Sequence, residues 1–133
     1  MYPRDWKKWL ATGSPDKLVD IAQLPKPLQV YLNAPSEKVF MRRDYVQKAV
    51  TKHAIPFEHF YLIADTIGRG QAIPDKPGHL TFFYFDNPDT QRWFQASIKC
   101  CAATRVNVVT TFFHQNQSEV RRRLRRVAPI WPA

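Results

Sequence analysis

Residues 92–114 read RWFQASIKCCAATRVNVVTTFFH. Over 92–101 one face carries Trp93, Gln95, Ser97 and Lys99, and the other carries Arg92, Phe94, Ala96 and Ile98. Over 105–113 one face carries Arg105, Asn107, Val109, Thr111 and Phe113. The other holds Val106, Val108, Thr110 and Phe112, then His114, and is expected to face the core. A period of two marks extended chain, because successive side chains leave a strand on opposite sides. Working outward, two further strands are expected at 71–73 and 80–86. Turns at Asp75-Lys76-Pro77-Gly78 and Asp86-Asn87-Pro88-Asp89 separate them. Connections this short imply an antiparallel meander of about four strands.

Upstream the period lengthens to that of helices. Residues 3–10 are expected to be helical, broken at Thr12-Gly13. Ser14-Pro15-Asp16 then offers an N-cap, a first-position proline and an acid in the first turn, predicting a helix that runs to Leu24. Pro25, Pro27 and Pro35 mark an irregular passage before a short strand at 39–42. A helix over 43–53 places Val46, Ala49, Val50 and His53 at i, i+3, i+4 and i+7. Pro56 opens the next, with Phe57, Phe60, Tyr61 and Ala64 as its stripe and Gly68 and Gly70 as its end. Past the strands, a last helix starts at Ser118. Val120, Leu124 and Val127 form its apolar stripe amid arginines, and Pro129 stops it. Helices first and strands later is an α+β pattern: N-terminal helices on a small, about four-stranded antiparallel sheet, with a basic C-terminal helix. A chain of 133 residues suits one domain. It divides into a helical N-terminal extension at 1–38, a core at 39–114, and a basic helix and tail at 115–133.

Composition narrows the classes of function. No apolar run reaches the 18 residues of a membrane span, and the charged, tryptophan-rich start lacks the apolar centre of a secretory signal, so a cytoplasmic setting is expected. Cys100 and Cys101 are sequence neighbours on a strand, pointing to opposite faces, and make neither a disulfide nor a metal-ligand spacing. No paired-histidine or carboxylate spacing suits a metal. No glycine-rich phosphate loop or nucleophile elbow is present, so no cofactor is expected. Charge is more informative. Twenty Lys and Arg oppose eleven Asp and Glu, a formal net charge of +9. From Gln91 onward there are eight cations and one anion, Glu119. RNA or DNA is the most economical partner for such a field.

Candidate chemistry centres on Lys52-His53. An imidazole at a helix C-terminus is drawn toward its charged form by the helix dipole, while Lys52 and Lys48 oppose it, and the balance suits a proton-transfer group. The polar strand face of Gln95, Ser97, Lys99, Asn107 and Thr111 is a candidate floor for a phosphate cleft. Arg105, together with Arg121, Arg122 and Arg125 of the last helix, is a candidate for phosphate contact. The plain alternatives are a core histidine, a solvated sheet face and a solvated arginine face.

The ordered set of a helix ending in Lys52-His53, a helix after proline, the strand at 80–86, the strand with Ile98-Lys99 and the run Val-Val-Thr-Thr-Phe-Phe-His resembles a known family. These are the phage-associated nuclease-like domains grouped with barnase, EndoU, colicin-type and RelE-type ribonucleases. The resemblance covers about residues 39–114 and implies N-terminal helices against a four-stranded antiparallel sheet. It implies a metal-independent endoribonuclease, in which a ribose 2′-hydroxyl attacks the adjacent phosphate and leaves a 2′,3′-cyclic phosphate. Carried over, Lys52 and His53 are the helix pair, Lys99 stabilises the phosphorane, and Thr111, with Thr110 as the other choice, is the last-strand threonine. His114 stands where such domains often have an arginine, as a second acid/base or a lost phosphate ligand. RNA is the implied substrate, and a toxin or phage effector with a cognate inhibitor or antitoxin the implied setting. The alternative is a non-catalytic module binding nucleic acid or a partner, including an inhibitor of a host nucleic-acid-handling protein.

Overall fold

The computed structural model describes residues 18–52, 57–101 and 106–132. Its elements run β1 (Leu18–Gln23), α1 (Lys26–Leu32), β2 (Lys38–Arg42), α2 (Arg43–Lys52), a short 3-10 helix (Phe57–Tyr61), α3 (Leu62–Arg69), β3 (Gln71–Pro74), β4 (His79–Asp86), β5 (Arg92–Cys101), β6 (Val106–Gln115) and α4 (Gln117–Arg126). The six strands form one sheet in the order β1-β2-β6-β5-β4-β3. Pairing is antiparallel throughout except between β2 and β6, which are parallel.

This corrects the expected architecture twice. The sheet is mixed and six-stranded rather than antiparallel and about four-stranded, because β1 and β2 join it through the far end of the chain, at β6. Helices are interleaved with strands rather than gathered at the N-terminus. The segment expected to be helical as far as Leu24 is instead the edge strand β1. In LVDIAQ, Val19 and Ile21 are buried while Leu18 and Asp20 are exposed, a half-buried strand's alternation. The proline passage, in turn, folds into α1. Pro25 occupies the N-cap, Pro27 sits in the first turn where its missing N–H is no loss, and Asn33 ends the helix at φ 53°. The expected helix over 3–10 and the Ser14-Pro15-Asp16 start lie outside the described residues.

Both faces of the sheet are covered near β4, and this explains why four consecutive residues there, Leu80 to Phe83, are all buried. Phe82 enters the main core with Val46 and Ala49 of α2, Phe60 of the 3-10 helix, and Leu62, Ile63 and Ile67 of α3. Its neighbour Phe83 points the other way, into a smaller cluster with Ile73 and Val120 of α4, flanked by Trp93 and Leu124. Arg123 lays its guanidinium over the Phe83 ring, 5.4 Å from the centroid. The C-terminal tail pairs with β3 through Ala72 N–H to Trp131 O at 2.8 Å and Ile130 N–H to Ala72 O at 2.8 Å, closing that edge.

One irregularity governs the site. The β5–β6 register passes from Ser97 opposite Thr111 to Ile98 opposite Val109, so Thr110 is an extra residue, and its hydroxyl donates to Ser97 O at 3.2 Å. Such a bulge reverses facing along the strand. Beyond it, Phe112 and His114 lie on the main-core side with Ala96 and Phe94, as expected from strand parity. Before it, the parity is opposite to expectation: Asn107 and Val109 are wholly buried on that side, and Val108 faces away with Lys99.

Candidate active site

Where β4, β5 and β6 end together, two imidazoles and a guanidinium meet. His114 stands near the end of β6, and its ring lies edge-on to Phe94, 4.9 Å between centroids. Arg92 opens β5, and Arg92 Nη1 is 2.6 Å from His114 Nδ1. His59, from the 3-10 helix, brings its Nδ1 within 3.1 Å of His114 Nε2 and also packs edge-on against Phe94. An arginine can only donate, which fixes the proton positions. His114 Nδ1 must carry the lone pair that accepts from Arg92, so Nε2 carries the hydrogen and donates to His59 Nδ1. His59 then has its proton on Nε2. The three groups form one donor chain ending in an N–H.

Electrostatics favour the same protonation state. Burial first, then the positive charge of Arg92, and lastly His59, push the His114 pKa down from 6.5 to about 4. His114 is therefore neutral at pH 7. Arg92 and His114 line a cavity of about 450 Å³ whose wall runs from Phe85 and Trp93 to Asn116 and Gln117, with His59 behind His114. Asn116 caps α4, its side chain accepting from Glu119 N–H at 2.8 Å. The positive end of the α4 dipole thus borders the same cavity. A larger cavity of about 780 Å³ lies between β1 and α3 beside Trp131. Its charged lining is limited to Asp20 and Lys26, with no imidazole, thiol or arginine.

Among the described residues, those expected to act together do not converge. His53 and Arg105 lie outside the described residues. Lys48 and Lys52 are exposed on α2, which packs against the main-core side of the sheet, whereas Lys99 is exposed on the opposite face. Asn107 leaves the expected polar cleft altogether. It is buried, with Nδ2 donating to Ser36 O at 2.7 Å and Lys38 O at 2.8 Å, so it ties β6 to the start of β2. Gln95 is also buried, accepting from Gln115 Nε2 at 3.0 Å. Ser97 and Thr111 do share a face as expected. The Ser97 hydroxyl lies 3.2 Å from that of Thr81, which donates to Asp75 Oδ2 at 3.1 Å. Thr110 is the bulge residue, and its hydroxyl is committed to backbone. On α4, Arg121 and Arg125 are exposed, while Arg122 is ion-paired with Glu119.

Among the described residues of the expected catalytic set, then, His114 alone belongs to this cluster, and its partners His59 and Arg92 were not singled out from the sequence. The separations of 55 and 22 residues between them and His114 carry no local signal. Among the described residues no group of three His, Cys, Asp or Glu side chains could hold a metal ion, and no helix is long and apolar enough to cross a membrane. The chain matches no family model, no curated protein and no solved structure.

Proposed function

We propose that this domain binds RNA at the His59–His114–Arg92 cluster and cleaves it by attack of a ribose 2′-hydroxyl on the adjacent phosphate. The observation that carries the reading is a pair of hydrogen-bonded imidazoles tied to a guanidinium, with His114 and Arg92 on the wall of a cavity that α4 borders with its positive end. The +9 charge of the chain points the same way.

The chemistry follows from what each group can do. Arg92, with five donors, turns from His114 to a phosphate, where a bidentate contact is stronger. That frees His114 Nδ1 and lifts the second of the causes that lower its pKa, so its basicity rises while burial still holds it below an ordinary imidazole. The 2′-hydroxyl proton passes to Nδ1 as the 2′-oxygen bonds to phosphorus. His114 hands its Nε2 proton along the existing hydrogen bond to His59 Nδ1, and His59 Nε2–H protonates the departing 5′-oxygen. The P–O5′ bond breaks, a 2′,3′-cyclic phosphate remains, and Arg92 stabilises the charge on the pentacovalent phosphorane.

One observation favours the second reading, a module that binds RNA without cutting it. Both ring nitrogens of His114 are already engaged, and a group with pKa about 4 is a weak base. Incubating RNA with the pure protein in EDTA separates the two. Cleavage to cyclic-phosphate ends, reduced about 10²- to 10⁴-fold in His114→Ala and His59→Ala and retained in Lys99→Ala, supports the enzyme. Salt-sensitive binding without cleavage supports the module. Cleavage lost in His53→Ala but intact in His114→Ala places the chemistry on the Lys-His helix instead. Absence of both binding and cleavage would show that RNA is not the ligand.

A further inference from the structure

The cavity beside the imidazoles has an aromatic wall that phosphate chemistry does not use. Phe85 of β4 and Trp93 of β5 are direct cross-strand partners, with ring centroids 5.4 Å apart and planes inclined at 57°. Phe85 is 38% exposed, the one phenylalanine among the described side chains left open to solvent. Trp93 Nε1 is buried with no hydrogen-bond partner. Both rings line the cavity that Arg92 and His114 also line. A single recess thus joins a flat apolar surface to a guanidinium and an imidazole, matching the two halves of a nucleotide.

Resting on the RNA reading above, we propose that Phe85 and Trp93 form a nucleobase subsite. An unpaired base of single-stranded RNA stacks on the exposed Phe85 ring while its phosphate meets Arg92 and His114 at the end of the sheet. The volume, about 450 Å³, lies within the usual range for a small-ligand site. Stacking on an aromatic face needs a base out of its duplex, so the substrate is single-stranded. Gln117, at the start of α4 and on the cavity wall, places a carboxamide donor and acceptor beside the stacked base.

The test uses a 2′-O-methyl trinucleotide, which lacks the attacking hydroxyl, and an abasic ribose-phosphate trimer of equal charge. Each is titrated by fluorescence anisotropy into the full chain. Stacking of one base corresponds to about 5- to 150-fold in affinity, so the wild-type protein prefers the base-bearing probe by that margin. Phe85→Ala loses the preference and binds both probes as the wild type binds the abasic one, with its salt dependence unchanged. Phe85→Tyr keeps the preference, which excludes a general loss of fold. Equal binding of the two probes by the wild type, or a preference that survives Phe85→Ala, overturns the subsite. If Arg92→Ala weakens both probes while Phe85→Ala alters neither, the RNA reading stands and the subsite alone fails. If the wild type binds neither probe, both fall.

Discussion

His114 is the residue on which the account turns, and its neutral state has a consequence for stability. In an unfolded chain its pKa is 6.5; in the fold it is about 4. Between those values the unfolded chain holds a proton that the folded chain does not, so unfolding gains as pH falls. The contribution is fully present above about pH 6.5 and is lost as pH drops toward about 4. Urea midpoints measured across that window are expected to fall more steeply for the wild type than for His114→Gln, which cannot titrate. Parallel curves would show that His114 is not held neutral. From the sequence, His114 was legible as a strand-end residue on the core side. Its partners were not, since a contact between a 3-10 helix, the head of one strand and the tail of another is decided only when the sheet assembles. Asn107 shows the same limit from the other side. Its polar side chain looked solvent-facing, yet it is buried where two backbone carbonyls need a donor.

Among elements, those with a strong local period were legible and those whose punctuation had two meanings were not. Strands β3 to β6 and helices α2, α3 and α4 all carry their period and stops in their own residues. Strand β1 was obscured by a helix-start motif immediately before it, although its own residues alternate. Helix α1 was obscured by two prolines that are as compatible with a first helical turn as with a loop. The β6 bulge left no mark in the pattern, because Thr110 and Thr111 are chemically identical and only pairing reveals which is extra. The join between α3 and β3 offers a test of packing. A Cβ on Gly70 would lie 2.7 Å from Phe83 O and closer still to Thr66 O, both backbone atoms with little room to move. Gly70→Ala is expected to lower unfolding free energy by about 1–3 kcal/mol in urea. No change would mean that the helix end and β4 are not so tightly joined.

At the scale of the whole molecule, the strand order was the part least accessible to sequence reasoning. The parallel pairing of β2 with β6, opposing Val39 to Asn107 and Met41 to Val109, closes over most of the intervening chain, and short-range turn chemistry says nothing about it. That pairing, and the bulge next to it, divide the polar residues between two faces and bring an imidazole cluster to one end of the sheet. On the proposed reading, the net charge of +9 draws an anion at long range and the cluster receives it. The most direct test is to follow the histidine ring resonances of the intact protein by NMR while a 2′-O-methyl RNA, which binds but cannot be cut, is added. The His114 and His59 signals are expected to shift on saturation, and the His114 pKa to rise from about 4 as Arg92 turns to phosphate. RNA binding that leaves both imidazoles and the His114 titration unchanged would contradict it.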